Sequence, residues 1–253
     1  MSDLERSLEE ASKIISYARH LIAFTGAGIS VESGIPPFRG EDGLWSKYDP
    51  RILDLDVFYS NPGDSWVVIK EIFYDFFGSA EPNPAHLGLA RLEKMGLLKC
   101  VVTQNIDNLH QEAGSTVVHE FHGNSQKMIC TSCQKHFTVP EVDLNHLPPE
   151  CDACNGLLKP DFIFFGEMIP MDAYQASVAA AEAADVLIII GSTGAVMPAN
   201  QIPVIAKQTG AKVIEINPVT SNYTYHITDV YLQGRASAIM DQLLPQIENH
   251  LSE

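Results

Sequence analysis

Phe24–Gly40, FTGAGISVESGIPPFRG, follows the apolar run HLIAF and opens as a nucleotide-binding turn does, with glycines directly behind a strand-like segment. Gly26 and Gly28 allow a tight turn with close backbone approach, and the N–H groups behind them suit a pyrophosphate. A dinucleotide fingerprint would place a third glycine where Val31 stands and continue as a helix. Instead, Gly34, Pro36 and Pro37 end any helix early, which argues against a hydride-transfer enzyme and leaves a ligand-free βα turn as the plain alternative. Phe38 and Arg39 follow on an irregular loop. There an aromatic ring can cover a ligand and a guanidinium can reach phosphate or ribose oxygens, or the arginine can sit in a surface ion pair.

The strand before this turn has three companions. LLKCVVT (Leu97–Thr103), VLIIIGS (Val186–Ser192) and KVIEIN (Lys212–Asn217) are apolar on successive residues, as strands covered on both faces are. Helical spacing is predicted over Leu4 to Ala18, Pro84 to Met95, Asp172 to Ala183 and Ala199 to Thr209. Strands and helices in alternation imply an α/β fold with a Rossmann-like open parallel sheet that binds ligands at the strands' carboxyl ends. Thr25-Gly26, Thr103-Gln104-Asn105, Gly191-Ser192-Thr193 and Asn217 would line that rim. Two stretches break the alternation, one rich in aromatics and one rich in cysteine and proline. The expected division is therefore residues 1–40, 84–125 and 161–253 in the Rossmann-like domain, with 41–83 and 126–160 forming a smaller helical and zinc-binding module.

Cys130-x2-Cys133 and Cys151-x2-Cys154 are separated by 17 residues, a spacing suited to tetrahedral zinc. Four thiolates close the coordination sphere and leave no bound water to activate, so the ion is expected to be structural. Zinc ribbons also occur in nucleic-acid binders. Between Cys130 and Cys154, however, Lys135 is the only cation against Glu141, Asp143, Glu150 and Asp152. That charge pattern, with a net charge of −16 over 253 residues, argues against direct nucleic-acid binding. The start MSDLERSLEEASKII alternates in charge and reads as no signal peptide, and no apolar run reaches membrane-spanning length. A cytoplasmic protein is expected, with cysteines serving metal chemistry before disulfides.

TQNIDNLH, Thr103 to His110, places Gln104, Asn105 and Asp107 just behind an apolar strand. Asn105 both donates and accepts, so it can match a carboxamide, and Asp107 can orient an amide or hydroxyl; either one can equally start a helix. His110, His119 and His122 are the neighbouring candidates for a general base, and residue chemistry alone does not choose among them.

Taken in order, GAGIS, GIPPFRG, TQNIDNLH, HG, the paired cysteine knuckles, FFGE, GST and INP resemble the sirtuins, NAD-dependent protein lysine deacylases, from about Leu21 to Ala236. The resemblance implies that Gly26, Ala27, Gly28 and Ile29 hold phosphates, with Phe38 and Arg39 close by. It implies that Gln104, Asn105, Ile106 and Asp107 surround nicotinamide and its ribose, and that Gly191, Ser192, Asn217, Pro218 and Ala236 contact the adenosine half. It makes His122 the general base, Cys130, Cys133, Cys151 and Cys154 the zinc ligands, and Ile163, Phe165, Gly166 and Glu167 the segment that pairs with an acyl-lysine protein or peptide. The implied reaction moves the acyl group from lysine to ADP-ribose and releases nicotinamide; ADP-ribosyl transfer to a protein is the alternative. Two departures stand out. Ser192-Thr193 reverses the more usual order of hydroxyls, and Ile69 and Ile72 stand where a desuccinylase-like branch carries Tyr and Arg, which favours an acetyl or longer apolar acyl group.

Overall fold

The computed structural model describes residues 2–38 and 43–252, leaving aside the side chains of Phe76 and Ser79. Among them the strands are β1 Leu21–Thr25, β2 Leu98–Thr103, β3 Val118–Glu120, β4 Gly123–Cys130, β5 His136–Thr138, β6 Leu158–Phe162, β7 Val186–Ile190, β8 Lys212–Asn217 and β9 Val230–Gln233. The α-helices are α1 Asp3–Ser16, α2 Leu55–Ser60, α3 Pro62–Lys70, α4 Pro84–Lys94, α5 Leu109–Glu112, α6 Met171–Ala183, α7 Gln201–Gln208 and α8 Ala236–Ser252.

Six strands form a parallel sheet in the order β3-β2-β1-β7-β8-β9. Successive residues of each central strand face opposite sides, and both sides are covered. Leu21, Ala23, Ile188, Ile190, Ile214 and Ile216 pack with Leu8 and Ile15 of α1, Leu89 of α4 and Leu243 of α8. Ile22, Phe24, Leu187, Ile189 and Val213 pack with Ala181 of α6 and Ile202 of α7. Burial on both faces is why these strands are apolar at every position. The chain builds outward from β1 in one direction through β2 and β3, then in the other through β7, β8 and β9. The order reverses between β1 and β7, and a crevice opens there at the strands' carboxyl ends.

The second layer is the antiparallel sheet β5-β4-β6 with the helices α2 and α3 against it. Its core is aromatic: Phe58, Trp66, Phe73, Phe162 and Phe164 are at most 2% exposed. Buried Trp66 donates its indole N–H to Leu158 O at 2.9 Å, which fixes α3 on β6. Ile69 and Ile72 lie inside this core, and a single π-helical turn, Glu71–Phe76, begins between them. Ile35, Ile106 and Leu109 join the same cluster, so the two layers are packed together where the site lies.

The boundaries differ from the expected ones for local reasons. β7 stops at Ile190 because Gly191 turns to φ +66°. The pairing β4–β6 runs from Gly123–Phe162 to Cys130–Leu158 and so extends past residues 126–160 at both ends. β9 and α8 are not evident in the sequence. α8 carries Pro245 inside it, a residue that normally argues against a helix interior.

Candidate functional site

The glycine turn is two successive short 3₁₀ turns, Ala27–Ile29 and Val31–Ser33, ended by Gly34 at φ +89°. Its glycines answer first to the neighbouring strand. Gly26 N donates to Ile190 O at 3.0 Å and Gly28 N to Gly191 O at 2.9 Å. A Cβ on Gly28 would lie 2.6 Å from Gly191 Cα, and one on Gly191 would lie 2.3 Å from Ile29 N. The turn and the end of β7 are thus in backbone contact at the switch point, which brings Gly26–Ile29 beside Gly191 and Ser192.

Gln104 ties β2 into the same rim: its N donates to Thr25 O at 2.9 Å and its Nε2 to Ser192 Oγ at 3.0 Å. Ser192 Oγ also accepts from Gly194 N at 3.3 Å. Asn217, at the end of β8, donates its Nδ2 to Ser192 O at 3.1 Å and to buried Glu215 at 2.9 Å. Glu215 further accepts from the hydroxyls of Ser221, Thr224 and Thr228, which fixes the loop behind β8. Pro218 O accepts from Gln233 at 3.2 Å, and Ala236 begins α8 nearby, buried.

A narrow, tightly closed cleft lies under the turn, lined by Ala27, Ser30, Ile35, Phe38, Phe77, Asn105, Ile106 and Asp107. Its polar wall is wired from within. Ser30 Oγ donates to Asp107 Oδ2 at 2.7 Å and so accepts from Asn105 Nδ2 at 3.1 Å. That assigns the amide orientation of Asn105 and leaves its carbonyl end free to accept. Asp107 Oδ1 accepts from Leu109 N at 3.0 Å. Burial raises the Asp107 carboxyl, and the Ser30 and Leu109 hydrogen bonds oppose that shift. Behind Ser30 stands buried His86, at 3.4 Å, held down to about 4 by desolvation and therefore neutral.

Ser30, Phe77 and His86 escape a reading of the sequence. His86 sits in the first turn of α4, where Asn83 N donates to its Nδ1 at 3.3 Å. A capping pattern in PNPAH could have placed it at the helix start. Nothing local announces its contact with Ser30, 56 residues away.

His122 lies in the short turn between β3 and β4. Phe121 turns into the core against Tyr174, with ring centroids 6.0 Å apart, and His122 turns toward β2. Its Nδ1 lies 3.0 Å from Gln104 O. A carbonyl only accepts, so Nδ1 carries the hydrogen and Nε2 keeps its lone pair. Burial lowers the imidazole below its ordinary value of 6.5, with the Gln104 carbonyl pulling the other way.

Ile163 N donates to His122 O at 2.9 Å, so the Ile163–Glu167 segment starts beside this histidine. Phe165 spends its N–H on Leu53 O at 2.8 Å and its C=O on Leu55 N at 3.1 Å, while its ring is half exposed. The Glu167 side chain points inward, to Lys159 and to Phe164 N. Phe38, Trp45 and Phe165 form an aromatic row with centroid spacings of 5.5 and 6.5 Å. Arg39 lies outside the described residues.

In the small module the four cysteine sulfurs lie within 4.8 Å of one another, with Cys130–Cys154 at 3.5 Å and Cys133–Cys151 at 3.7 Å. A tetrahedron of thiolates around zinc has edges of ~3.8 Å, so the quartet fits that ion. Both knuckles turn through a left-handed residue, Gln134 at φ 61° and Asn155 at φ 55°. The N–H groups of Ser132 and Cys133 both point at Cys130 Sγ, at 3.4 Å.

A doubly wound sheet with a glycine turn at its switch point, a buried amide and carboxylate pocket, a free imidazole nitrogen and a four-cysteine cluster define a nucleotide-dependent enzyme with a structural metal module. The Sir2 family model matches residues 26–198. NAD-dependent protein deacylase 2 of Pyrobaculum aerophilum is 42% identical over 242 residues, which is 94% of this chain and 95% of that protein. A solved Sir2 homologue–NAD complex has a TM-score of 0.89 at 41% identity, covering 96% of this chain and 94% of its own. A Sir2 complex with deacetylated p53 peptide and 3'-O-acetyl ADP-ribose has a TM-score of 0.88 at 36% identity, covering 94% and 98%. The chain belongs to the Sir2 family.

Proposed function

We propose that the protein is an NAD-dependent protein deacylase of the sirtuin type. The observation that carries the reading is the position of His122, with Nε2 left basic by the carbonyl of Gln104, the residue that leads directly into the cleft-lining Asn105, Ile106 and Asp107. NAD supplies the ADP-ribose that accepts the acyl group, with nicotinamide released. Asn105 and Asp107, oriented by Ser30, hold the nicotinamide carboxamide. Gly26–Ile29 and Gly191 offer backbone to the phosphates, and Ser192, Asn217, Pro218 and Ala236 lie on the adenosine side. The acyl-lysine carbonyl oxygen would bond to the anomeric carbon of the ribose as the bond to nicotinamide breaks. His122 Nε2 would then take the proton of a ribose hydroxyl as that oxygen bonds to the acyl carbon, the lysine amine would leave protonated, and water would add to the acyl carbon to give acyl-ADP-ribose.

The zinc ligands Cys130, Cys133, Cys151 and Cys154 hold the small module, and Ile163, Phe165, Gly166 and Glu167 receive the acyl-lysine peptide. Buried Ile69 and Ile72 offer no charge partner, so acetyl and apolar acyl groups are the preferred substrates. Among the described residues no helix is long and apolar enough to cross a membrane. Thiols committed to a metal suit a reducing compartment, which supports a cytoplasmic enzyme. The larger domain takes 1–40, 84–125 and 161–253 and the smaller 41–83 and 126–160, with β4 and β6 crossing those bounds at Gly123 and Phe162.

The test is mass spectrometry of an acetyl-lysine peptide with purified protein, with and without NAD. Deacetylation is expected only with NAD, yielding free nicotinamide and acetyl-ADP-ribose in equal amounts. His122→Ala is expected to lower kcat by ~10²–10⁴-fold while ADP-ribose binding persists. Intact acetyl-lysine with ADP-ribose appearing on protein would replace this reading with ADP-ribosyl transfer.

A further inference from the structure

Lys159 is a charged residue in an unusual place. It stands on β6, opposite Ile129 of β4 and one residue from the pair Cys130–Leu158, yet its side chain is only 6% exposed. Its ammonium has three hydrogens and three acceptors: Pro160 O at 2.9 Å, Phe162 O at 2.8 Å and Glu167 Oε2 at 3.0 Å. The same nitrogen lies 4.2 Å from the centroid of Phe164, over its ring face. Two of the three bonds return to its own strand. The third reaches forward to another segment.

That segment is a tight turn. Glu167 N donates to Phe164 O at 3.0 Å, Glu167 Oε2 accepts from Phe164 N at 2.7 Å, and Gly166 takes φ +95° inside the loop so closed. The turn sets Phe165, whose backbone grips Leu53 and Leu55 and whose ring faces Trp45. A chain of contacts therefore runs from the cysteine module through Lys159 and Glu167 to the aromatic row at the mouth of the site.

We infer that Lys159 is a positioning residue for substrate: by holding Glu167 it fixes the Phe164–Glu167 turn and sets affinity for the acyl-lysine peptide, without touching NAD. The inference rests on the reading that Ile163, Phe165, Gly166 and Glu167 receive the peptide. Without Lys159 the Glu167 carboxylate keeps only its bond to Phe164 N, and without Glu167 the buried ammonium loses its one acceptor beyond its own strand, so the turn is held less firmly. Removing the second partner then adds little, because both act through one contact.

The experiment is fluorescence anisotropy of a labelled acetyl-lysine peptide, alongside calorimetric binding of ADP-ribose, on wild type, Lys159→Met, Glu167→Gln and the double variant. Peptide affinity is expected to fall about tenfold in both single variants and no further in the double, with ADP-ribose affinity within about twofold of wild type throughout. Glu167→Gln keeps the acceptor for Phe164 N, which guards against a variant lost to misfolding. Unchanged peptide affinity in the single variants overturns the inference, as does a parallel loss of both ligands, which marks a merely structural residue. A wild type that binds the peptide but does not deacetylate it breaks the functional reading instead and leaves the positioning role standing.

Discussion

At the sheet rim, positions are set by backbone against backbone. Gly28 and Gly191 sit closer than any side chain permits, and the polar groups of Gln104, Asn105 and Asp107 are then aimed by hydrogen bonds to Ser192 and Ser30. In the small module, positions are set by side chains: four sulfurs from two separated knuckles, an aromatic core and one buried lysine. The first arrangement is a property of the folded sheet. The second depends on long-range side-chain contacts, with the four cysteines joining the end of β4 to the segment ahead of β6.

This contrast is broken most severely by removing the metal. Chelation, or Cys130→Ser, is expected to abolish deacetylation, by more than about a hundredfold, because structural zinc is worth roughly 10–16 kcal/mol in small modules. Hydrogen exchange should separate the two regions. Amides of β4 and β6 are expected to lose protection while those of β1, β7 and β8 keep theirs. Protection lost equally everywhere would mean that the two layers fold as one unit and that the comparison has no energetic content.

The rim is tested by a single methyl group. Gly191→Ala forces a Cβ to 2.3 Å from Ile29 N at a residue with φ +66°, where both contact and conformation oppose it. A loss of about 2–4 kcal/mol in denaturant unfolding is expected, with zinc content unchanged. A smaller loss, under about 1 kcal/mol, would show that the turn gives way and that the glycines serve ligand approach more than packing.

The two regions also differ in how far a reader of the sequence can see them. The parallel strands are legible because burial on both faces leaves uninterrupted apolar runs, and the cysteine spacing is legible because metal geometry is local. What stays hidden is long-range. Ser30, His86 and Asp107 meet only once β1, α4 and β2 are assembled, and the pairing of Glu167 with Lys159 has no local signature. The short strands β5 and β6 carry no period long enough to recognise, and Pro160 interrupts one of them.

The smallest expected effect is the sharpest on the chemistry, because it sets two influences on one imidazole against each other. Burial favours neutral His122 and lowers its pKa, while the Gln104 carbonyl favours the protonated ring. With burial dominant, the folded pKa lies below 6.5, so the basic form persists as pH drops past that value and is lost only as pH falls through the lower folded pKa. A general base at the ordinary 6.5 would be half protonated there and would show half its limiting rate. For kcat/KM with an acetyl-lysine peptide, more than half of the plateau rate is therefore expected at pH 6.5, at metal contents verified to be constant. A midpoint at or above 6.5 would mean that the carbonyl outweighs burial and that water reaches His122 when the site is open. The same profile measured on Lys159→Met should keep its midpoint, since that residue acts on the peptide turn and not on the base.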